Sequence, residues 1–260
     1  MNPVPEQTDG RKTSRVIITV LLVLVMFGVG IWGGLMLGGL RELRAISALR
    51  SDPVDLLNLT DRVTAADSDF LLLGDSRVAQ WKPAPEIGSS EFGLVGSSGM
   101  TAVQMELATR LLADRLSGKT VVVQIGINDL KAIGYMDRDP EEIISETKRT
   151  LASIHRTLKK NEVRVFVSTI LPPGPVSLAR SPIWSDDIRD AVVAVNEALV
   201  SGHLMTVDDV VDFGAILGTH RETEAAYSTD TLHLNQSGYK LLDEFLSERL
   251  FLVDRMNDAL

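Results

Sequence analysis

Apolar runs of strand length alternate with amphipathic stretches along most of the chain after residue 66. Each run is followed closely by a small or polar residue. The runs span residues 70–73, 92–95, 121–125, 163–167 and 204–207. Because nearly continuous apolar strands are typical of sheets that are covered on both faces, the pattern predicts a parallel sheet.

Helical patterns occupy the gaps between these runs, at residues 101–117, 139–160, 185–202 and 236–250. The second has a clear start signal, since Asp139 can cap it and Pro140 fits its first turn. The alternation of strands and helices predicts an α/β fold, a three-layer α/β/α sandwich with a central parallel sheet. In such sheets, functional sites form at the carboxyl ends of the strands.

The segment 16–40 contains 25 residues without a charge and is long enough to cross a bilayer. We interpret it as one N-terminal transmembrane anchor; a cleaved signal peptide is the alternative, although the run exceeds the usual length of a signal core. The predicted organisation is a disordered tail at 1–15, the anchor at 16–40, a connector at 41–65 and a catalytic domain at 66–255.

Composition and charge exclude several classes of function. The 260 residues include no cysteine, which excludes disulfides, thiolate metal sites and a cysteine nucleophile. Residues 1–50 carry a net charge of +3 and the remainder −12, which together give −9. A body this acidic is a poor nucleic-acid binder, so no nucleic-acid partner is expected. No cofactor is expected either, and no cluster of His and Asp has the spacing of metal ligands.

Four polar clusters lie where the predicted strands end or just before the last helix. They are Gly74-Asp75-Ser76, Gly96-Ser97-Ser98-Gly99, Gly126-Ile127-Asn128-Asp129 and Asp230-Thr231-Leu232-His233. Each is common alone, but their joint occurrence in this order indicates a catalytic site at one edge of the sheet.

The clusters contain the groups that acyl transfer requires. A serine hydroxyl needs a base within hydrogen-bond reach, and Ser76 and His233 are the candidates. Asp230 precedes His233 by three residues and can orient its imidazole, which completes a Ser-His-Asp triad. His220 is the alternative base.

The tetrahedral intermediate also needs hydrogen-bond donors for its oxyanion. The backbone N–H groups of Ser76 and Gly99 and the side-chain amide of Asn128 are suitable, with Gly96 as an alternative to Gly99. For Arg77 we predict binding of an anionic substrate group, with pairing to a local acid as the alternative. Asp75 and Asp129 are expected to be acceptors for loop backbone.

The four clusters, with the continuation 233–239, resemble the SGNH (GDSL-type) hydrolase superfamily over residues 68–250. Arg77 departs from the small or apolar residue that is common after the nucleophile. The resemblance implies a flavodoxin-like fold, serine esterase chemistry and the roles assigned above to Ser76, Gly99, Asn128 and His233.

Anchored members of this superfamily suggest a substrate and a compartment. The substrate would be an ester-bearing small molecule or an acylated polysaccharide, with O-acetyl groups, and the catalytic domain would be extracytoplasmic. The membrane is expected as a partner through the N-terminal helix, and the oligomeric state is left open. Two alternatives remain: an O-acyltransferase with the same site, and a catalytically silent factor in envelope or polysaccharide assembly.

Overall fold

The computed structural model describes residues 10–49, 53–178, 180–181 and 184–257. The chain divides into two compact units, Met1–Arg44 and Ala45–Leu260, and the boundary falls within helix α1 (Gly10–Leu49).

Helix α1 contains an exposed apolar stretch, Ile17–Leu40, with a mean hydropathy of 2.5. Within the described residues it is the one helix long and apolar enough to cross a membrane, and it could be an anchor or a signal sequence. The predicted disordered tail is wrong for residues 10–15, because they belong to this helix. Residues 1–9 lie outside the described part of the chain.

The second unit contains a sheet of five parallel strands, as predicted. Its spatial order is β4 (Gly93–Gly96), β1 (Phe70–Gly74), β5 (Thr120–Gln124), β6 (Arg164–Ser168) and β7 (Val210–Val211). A separate antiparallel pair joins β2 (Glu86–Ile87) to β3 (Ser90–Glu91). The carboxyl ends of β1, β4 and β5 lie side by side, since Gly74 pairs with both Gly96 and Gln124.

Helices cover both faces of the sheet and give the predicted three layers. The longer helices are α2 (Pro53–Ala65), α4 (Ala102–Leu116), α6 (Pro140–Lys160), α7 (Asp187–Val200) and α8 (Gln236–Asn257). Alternate strand residues point to opposite faces. Leu71 and Val121 pack in the core formed with α2, α4, α6 and α7, whereas Leu72 and Val122 pack in the core formed with α8.

Two features of the sequence interpretation are corrected. The predicted strand at 204–207 is wrong: a 3₁₀ turn occupies Val207–Asp209, and the last strand is Val210–Val211, whose residues are buried and pair with β6. The predicted connector also ends too late, because α2 belongs to the domain. Its Leu59 and Val63 are only 2% and 3% exposed.

Side chains in the loops fix where two helices begin near the site. Thr101 and Gln104 form a reciprocal capping box at the start of α4. Asp139 caps α6 through the backbone N–H of Glu141, with Pro140 in the first turn, as predicted.

Candidate active site

Ser76 begins a short helix, α3 (Ser76–Ala79), directly after strand β1. A side chain at residue 74 would collide with the carbonyl oxygen of Gln124, so only glycine fits this turn. Asp75 caps the helix, because its Oδ1 accepts a hydrogen bond from the backbone N–H of Arg77 at 2.9 Å. The turn therefore places the half-buried Ser76 hydroxyl at the carboxyl end of β1.

His233 and Asp230 lie on the loop before α8, and this loop brings both to Ser76. The distance between His233 Nε2 and Ser76 Oγ is 3.0 Å, and that between His233 Nδ1 and Asp230 Oδ2 is 2.8 Å. Since an ionised carboxylate can only accept, Nδ1–H donates to Asp230, and Nε2 presents its lone pair to the hydroxyl. The three side chains that the sequence predicted as a triad thus form one chain of hydrogen bonds.

The environment of Asp230 favours its ionised form. Partial burial acts to raise its pKa, but hydrogen bonds from the His233 ring and from the backbone N–H groups of Leu232 and His233 outweigh burial and lower it. Those backbone bonds reach Oδ1 at 2.7 and 3.0 Å. A carboxylate held in this way can fix the imidazole orientation and stabilise an imidazolium.

Asn128 lies in a short helix, α5 (Ile127–Leu130), just after β5, and a hydrogen bond connects it to the loop that carries Gly99. The buried Asn128 side chain donates from Nδ2 to the carbonyl oxygen of Met100 at 2.8 Å. An amide nitrogen carries two N–H groups, so one remains for another acceptor. Gly99 precedes Met100 and has a φ of +80°, a conformation that favours glycine.

The two candidate glycines have different surroundings. Gly96 packs against α3, because a Cβ there would collide with the backbone nitrogen of Ala79 and lie 2.8 Å from the carbonyl oxygen of Asp75. Gly99 is exposed, with open space around its Cβ position. Packing explains Gly96, and this difference favours Gly99 as the oxyanion donor.

Asp75 and Asp129 both accept hydrogen bonds from backbone N–H groups, as expected, but the donors lie in the first turns of α3 and α4 and not in loops. Asp129 Oδ2 accepts the N–H of Ala102 at 2.7 Å and so ties the short helix Ile127–Leu130 to the start of α4. Burial raises the pKa of Asp129 to about 7, against the effect of the backbone hydrogen bonds. Burial also raises the pKa of Asp75, an effect that the charges of Arg77 and Lys131 oppose.

The prediction that Arg77 binds an anionic substrate group is wrong. The side chain is 1% exposed; its Nε donates to the carbonyl oxygen of Leu232 at 2.7 Å and its Nη1 to that of Leu171 at 2.8 Å. Burial lowers the pKa of Arg77, and the Asp75 carboxylate opposes this shift. The guanidinium is therefore enclosed by protein and unavailable to a substrate.

The alternative base, His220, lies outside the hydrogen-bonded group of Ser76, His233 and Asp230. The His220 side chain is 45% exposed, and its Nε2 lies 3.9 Å from Asp212 Oδ2, whereas the Ser76 hydroxyl is bonded to His233. In the described part of the chain, no group of three or more His, Asp and Glu side chains is placed to hold a metal ion.

A cavity of about 270 Å³ opens beside Asn128, among α4, α6 and the segment after β5. Sequence reasoning missed this cavity, because its apolar lining residues look like ordinary positions on helix faces. The one available signal is that part of the lining follows Asn128 within ten residues. The lining residues are Thr101, Val103, Gln104, Asn128, Asp129, Ala132, Tyr135, Met136, Arg138, Ile143, Glu146 and Thr147.

Solved structures of low sequence identity share this fold. A crystal structure from Bacteroides fragilis, provisionally described as an acylhydrolase, is 17% identical with a TM-score of 0.60, and the match covers 78% of this chain and 99% of that one. A GDSL-like lipase from Bacteroides thetaiotaomicron is 19% identical with a TM-score of 0.53, and the match covers 74% of this chain and 88% of that one. No curated protein matches the chain significantly.

A family match agrees with the geometry of the site. Residues 72–241, more than half of the 260, match the GDSL-like lipase/acylhydrolase family. The matched region starts within β1, just before Ser76, and includes the loop that carries Asp230 and His233. Lipases and acylhydrolases cleave acyl groups, and a serine, a histidine and a carboxylate joined in this way can perform that reaction. The chain belongs to the GDSL-like lipase/acylhydrolase family.

Proposed function

We propose that this protein is a membrane-anchored serine esterase that hydrolyses carboxylic esters through Ser76, His233 and Asp230. The observation that supports this most directly is the pair of hydrogen bonds from Ser76 to His233, at 3.0 Å, and from His233 to Asp230, at 2.8 Å. This arrangement provides a nucleophile, its base and a group that orients the base.

In the first half of the reaction, Ser76 Oγ attacks the ester carbonyl carbon while His233 Nε2 takes the hydroxyl proton. The imidazolium that forms is stabilised by the ionised Asp230. His233 then gives its proton to the oxygen of the leaving alcohol, the bond from carbon to that oxygen breaks, and the acyl group stays on Ser76. In the second half, water takes the place of the alcohol, and the acid and Ser76 are released.

Three donors are proposed to stabilise the oxyanion of each tetrahedral intermediate: the backbone N–H groups of Ser76 and Gly99 and the side-chain amide of Asn128. They lie in the segments that follow β1, β4 and β5, three adjacent strands of the sheet. Donors fixed by a rigid sheet are oriented before the reaction starts, and this is where their catalytic benefit arises.

We propose an acylated polysaccharide outside the cytoplasmic membrane as the substrate, with an O-acetyl ester as its simplest form. The apolar stretch Ile17–Leu40 supports attachment to a membrane. The net charge of −12 on residues 51–260 opposes direct binding to anionic headgroups, so the anchor would hold the domain near the membrane.

The esterase is tested with the full-length protein in detergent and p-nitrophenyl acetate. Wild type should turn over the ester, and a fluorophosphonate probe should label it, whereas Ser76→Ala should lose both properties. Ser98→Ala, a change at an exposed serine of the neighbouring loop, is the matched control and should keep both. Equal turnover by wild type and Ser76→Ala would reject the proposal, and an unlabelled, inactive wild type would favour an assembly factor.

The acceptor and the side of the membrane need separate measurements. With an added oligosaccharide, release of free acid supports hydrolysis, and an acylated oligosaccharide supports the acyltransferase alternative.

For the side of the membrane, the absence of cysteine allows a single label site at Leu178→Cys, where the native side chain is 94% exposed. A membrane-impermeant maleimide should label this variant in intact cells, and labelling only after lysis would place the domain in the cytoplasm.

A further inference from the structure

The cavity beside Asn128 borders a proposed oxyanion donor but not the nucleophile or the base of the proposed triad. Asn128, whose side chain is a proposed oxyanion donor, lines the cavity, whereas Ser76 and His233 are not among its lining residues. A substrate group bound in this cavity would therefore extend from the ester carbonyl group in the direction away from the base, His233.

The chemistry of ester cleavage decides which half of the substrate this is. The alcohol oxygen must receive its proton from His233, so the alcohol lies on the His233 side of the tetrahedral carbon. The acyl chain is bonded to the same carbon and points away from that oxygen. A cavity that borders the oxyanion donor Asn128 and not His233 is placed to receive the acyl half.

The polar groups in the wall are mostly engaged with each other. Arg138 forms an ion pair with Glu146 at 3.1 Å, and Thr147 donates its hydroxyl proton to the carbonyl oxygen of Ile143 at 2.8 Å. Among the described wall atoms, the buried Tyr135 hydroxyl has no partner, and burial raises its pKa to about 12, so it stays neutral. Asp129 also lines the cavity; it accepts the N–H of Ala102, and burial raises its pKa to about 7, so below that pH it is mostly neutral.

The remaining wall is apolar and belongs to Val103, Ala132, Met136 and Ile143, together with the ring of Tyr135. Binding at such a wall is favourable, because methylene groups of the ligand leave water and become buried against apolar side chains. The methyl group of an acetyl ester would leave most of the 270 Å³ to water in contact with apolar side chains.

We propose that this cavity is an acyl-chain subsite and that the enzyme prefers butyryl to octanoyl esters over acetyl esters. This inference rests on the proposed esterase and replaces the acetyl group, the simplest ester of that proposal, with a longer acyl chain. Each methylene that enters the cavity should raise kcat/KM about fourfold, as expected for ~0.8 kcal/mol per buried methylene. The increase should stop when the cavity is full.

The test compares p-nitrophenyl acetate, butyrate, hexanoate and octanoate, with the full-length protein in lipid nanodiscs so that no detergent competes for the cavity. Wild type should prefer the longer esters. Ala132→Phe and Met136→Trp fill the cavity and should lower kcat/KM for hexanoate and octanoate much more than for acetate, which removes this preference. Met136→Ala enlarges it and should move the optimum to a longer ester.

Leu111→Trp is the matched control, because this residue is 65% exposed on α4 and does not line the cavity; its profile should equal that of wild type. Circular dichroism checks the fold of each variant, and Met136→Ala provides a test that does not depend on overpacking. Ser76-dependent turnover that favours acetate, or a profile that the three cavity variants leave unchanged, would overturn the acyl subsite. Absence of Ser76-dependent turnover on every ester would overturn the proposed esterase itself.

Discussion

Arg77 Nε donates a hydrogen bond to the carbonyl oxygen of Leu232 at 2.7 Å. This bond joins the residue after the proposed nucleophile to the residue before the proposed base, although the two lie 155 positions apart in the chain. A second bond, from Nη1 to Leu171, ties the same guanidinium to the loop after β6. One buried side chain thus helps to fix the position of Ser76 relative to His233.

Replacing Arg77 by leucine should lower the free energy of unfolding by about 3 kcal/mol, since it leaves two buried carbonyl oxygens without a donor and removes the positive charge that acts most strongly on the Asp75 carboxyl group. It should also lower kcat more than it raises KM, because the nucleophile and the base lose a direct connection. Urea unfolding and steady-state kinetics measure the two effects, and Arg77→Lys should recover part of each.

The matched control for this prediction is Arg189→Leu. Arg189 is also buried and donates to the carbonyl oxygens of Pro173 and Gly174, at 3.1 and 2.8 Å, and none of its described hydrogen bonds or ion pairs joins it to the residues next to Ser76. It should lose comparable stability with a smaller loss of kcat. If both variants lose kcat equally, Arg77 contributes only to folding.

The two candidate bases can be separated by mutation. His233→Ala should reduce kcat about 10³-fold or more, since it removes the group bonded to Ser76. His220→Ala should leave kcat within about twofold, because its partner is Asp212 and its side chain is 45% exposed. Steady-state hydrolysis of p-nitrophenyl butyrate provides the comparison. A large loss in His220→Ala and a small loss in His233→Ala would contradict the proposed triad.

The two candidate glycines should respond in opposite ways to alanine. Gly96→Ala should destabilise the fold by about 3 kcal/mol, because its Cβ would meet the backbone of α3. Gly99→Ala should cost only about 1 kcal/mol, since its Cβ has open space and only its positive φ opposes the change. Its kcat should nevertheless fall about tenfold or more, because the shifted backbone misplaces an oxyanion donor. Full activity in folded Gly99→Ala would exclude this glycine from the oxyanion hole.

Stability should depend on pH through Asp129. Its folded-state pKa is raised to about 7, whereas an aspartate in the unfolded chain titrates near ~3.9. Between these values the folded state keeps the proton and the unfolded state has lost it, so the free energy of unfolding should fall as the pH rises from about 4 to about 7 and then level off.

Asp129→Asn should flatten this dependence, because the amide carries no titrating proton. Burial also raises the pKa of Asp75, so the variant should keep the part of the slope that Asp75 contributes. Urea unfolding at intervals from about pH 4.5 to about pH 8 measures both proteins. Identical slopes would show that Asp129 titrates normally in the folded protein.

Local patterns were sufficient to predict four of the five strands and the polar residues that follow them, but they placed the last strand at 204–207 instead of Val210–Val211. The strands that precede Ser76 and Asn128 were readable from their apolar runs, and the three-residue spacing of Asp230 and His233 brought both to one place. Arg77 was misread, because the burial of a charge depends on carbonyl groups that are distant in sequence. The cavity was missed for a similar reason: its walls come from three separate segments, and no spacing within one of them marks an empty volume.

Helix α2 has a consequence for any attempt to prepare the domain without its apolar N-terminal segment. Leu59 and Val63 fill part of the core, and Arg62 Nη1 donates to the carbonyl oxygen of Gly96 at 2.6 Å. A truncation at residue 66 would uncover the apolar surface that α2 protects on β4 and α4, and exposed patches of this kind promote self-association. A truncation that retains residues 45–65 would keep that surface covered, so the choice of starting residue decides between a dispersed and an aggregating preparation.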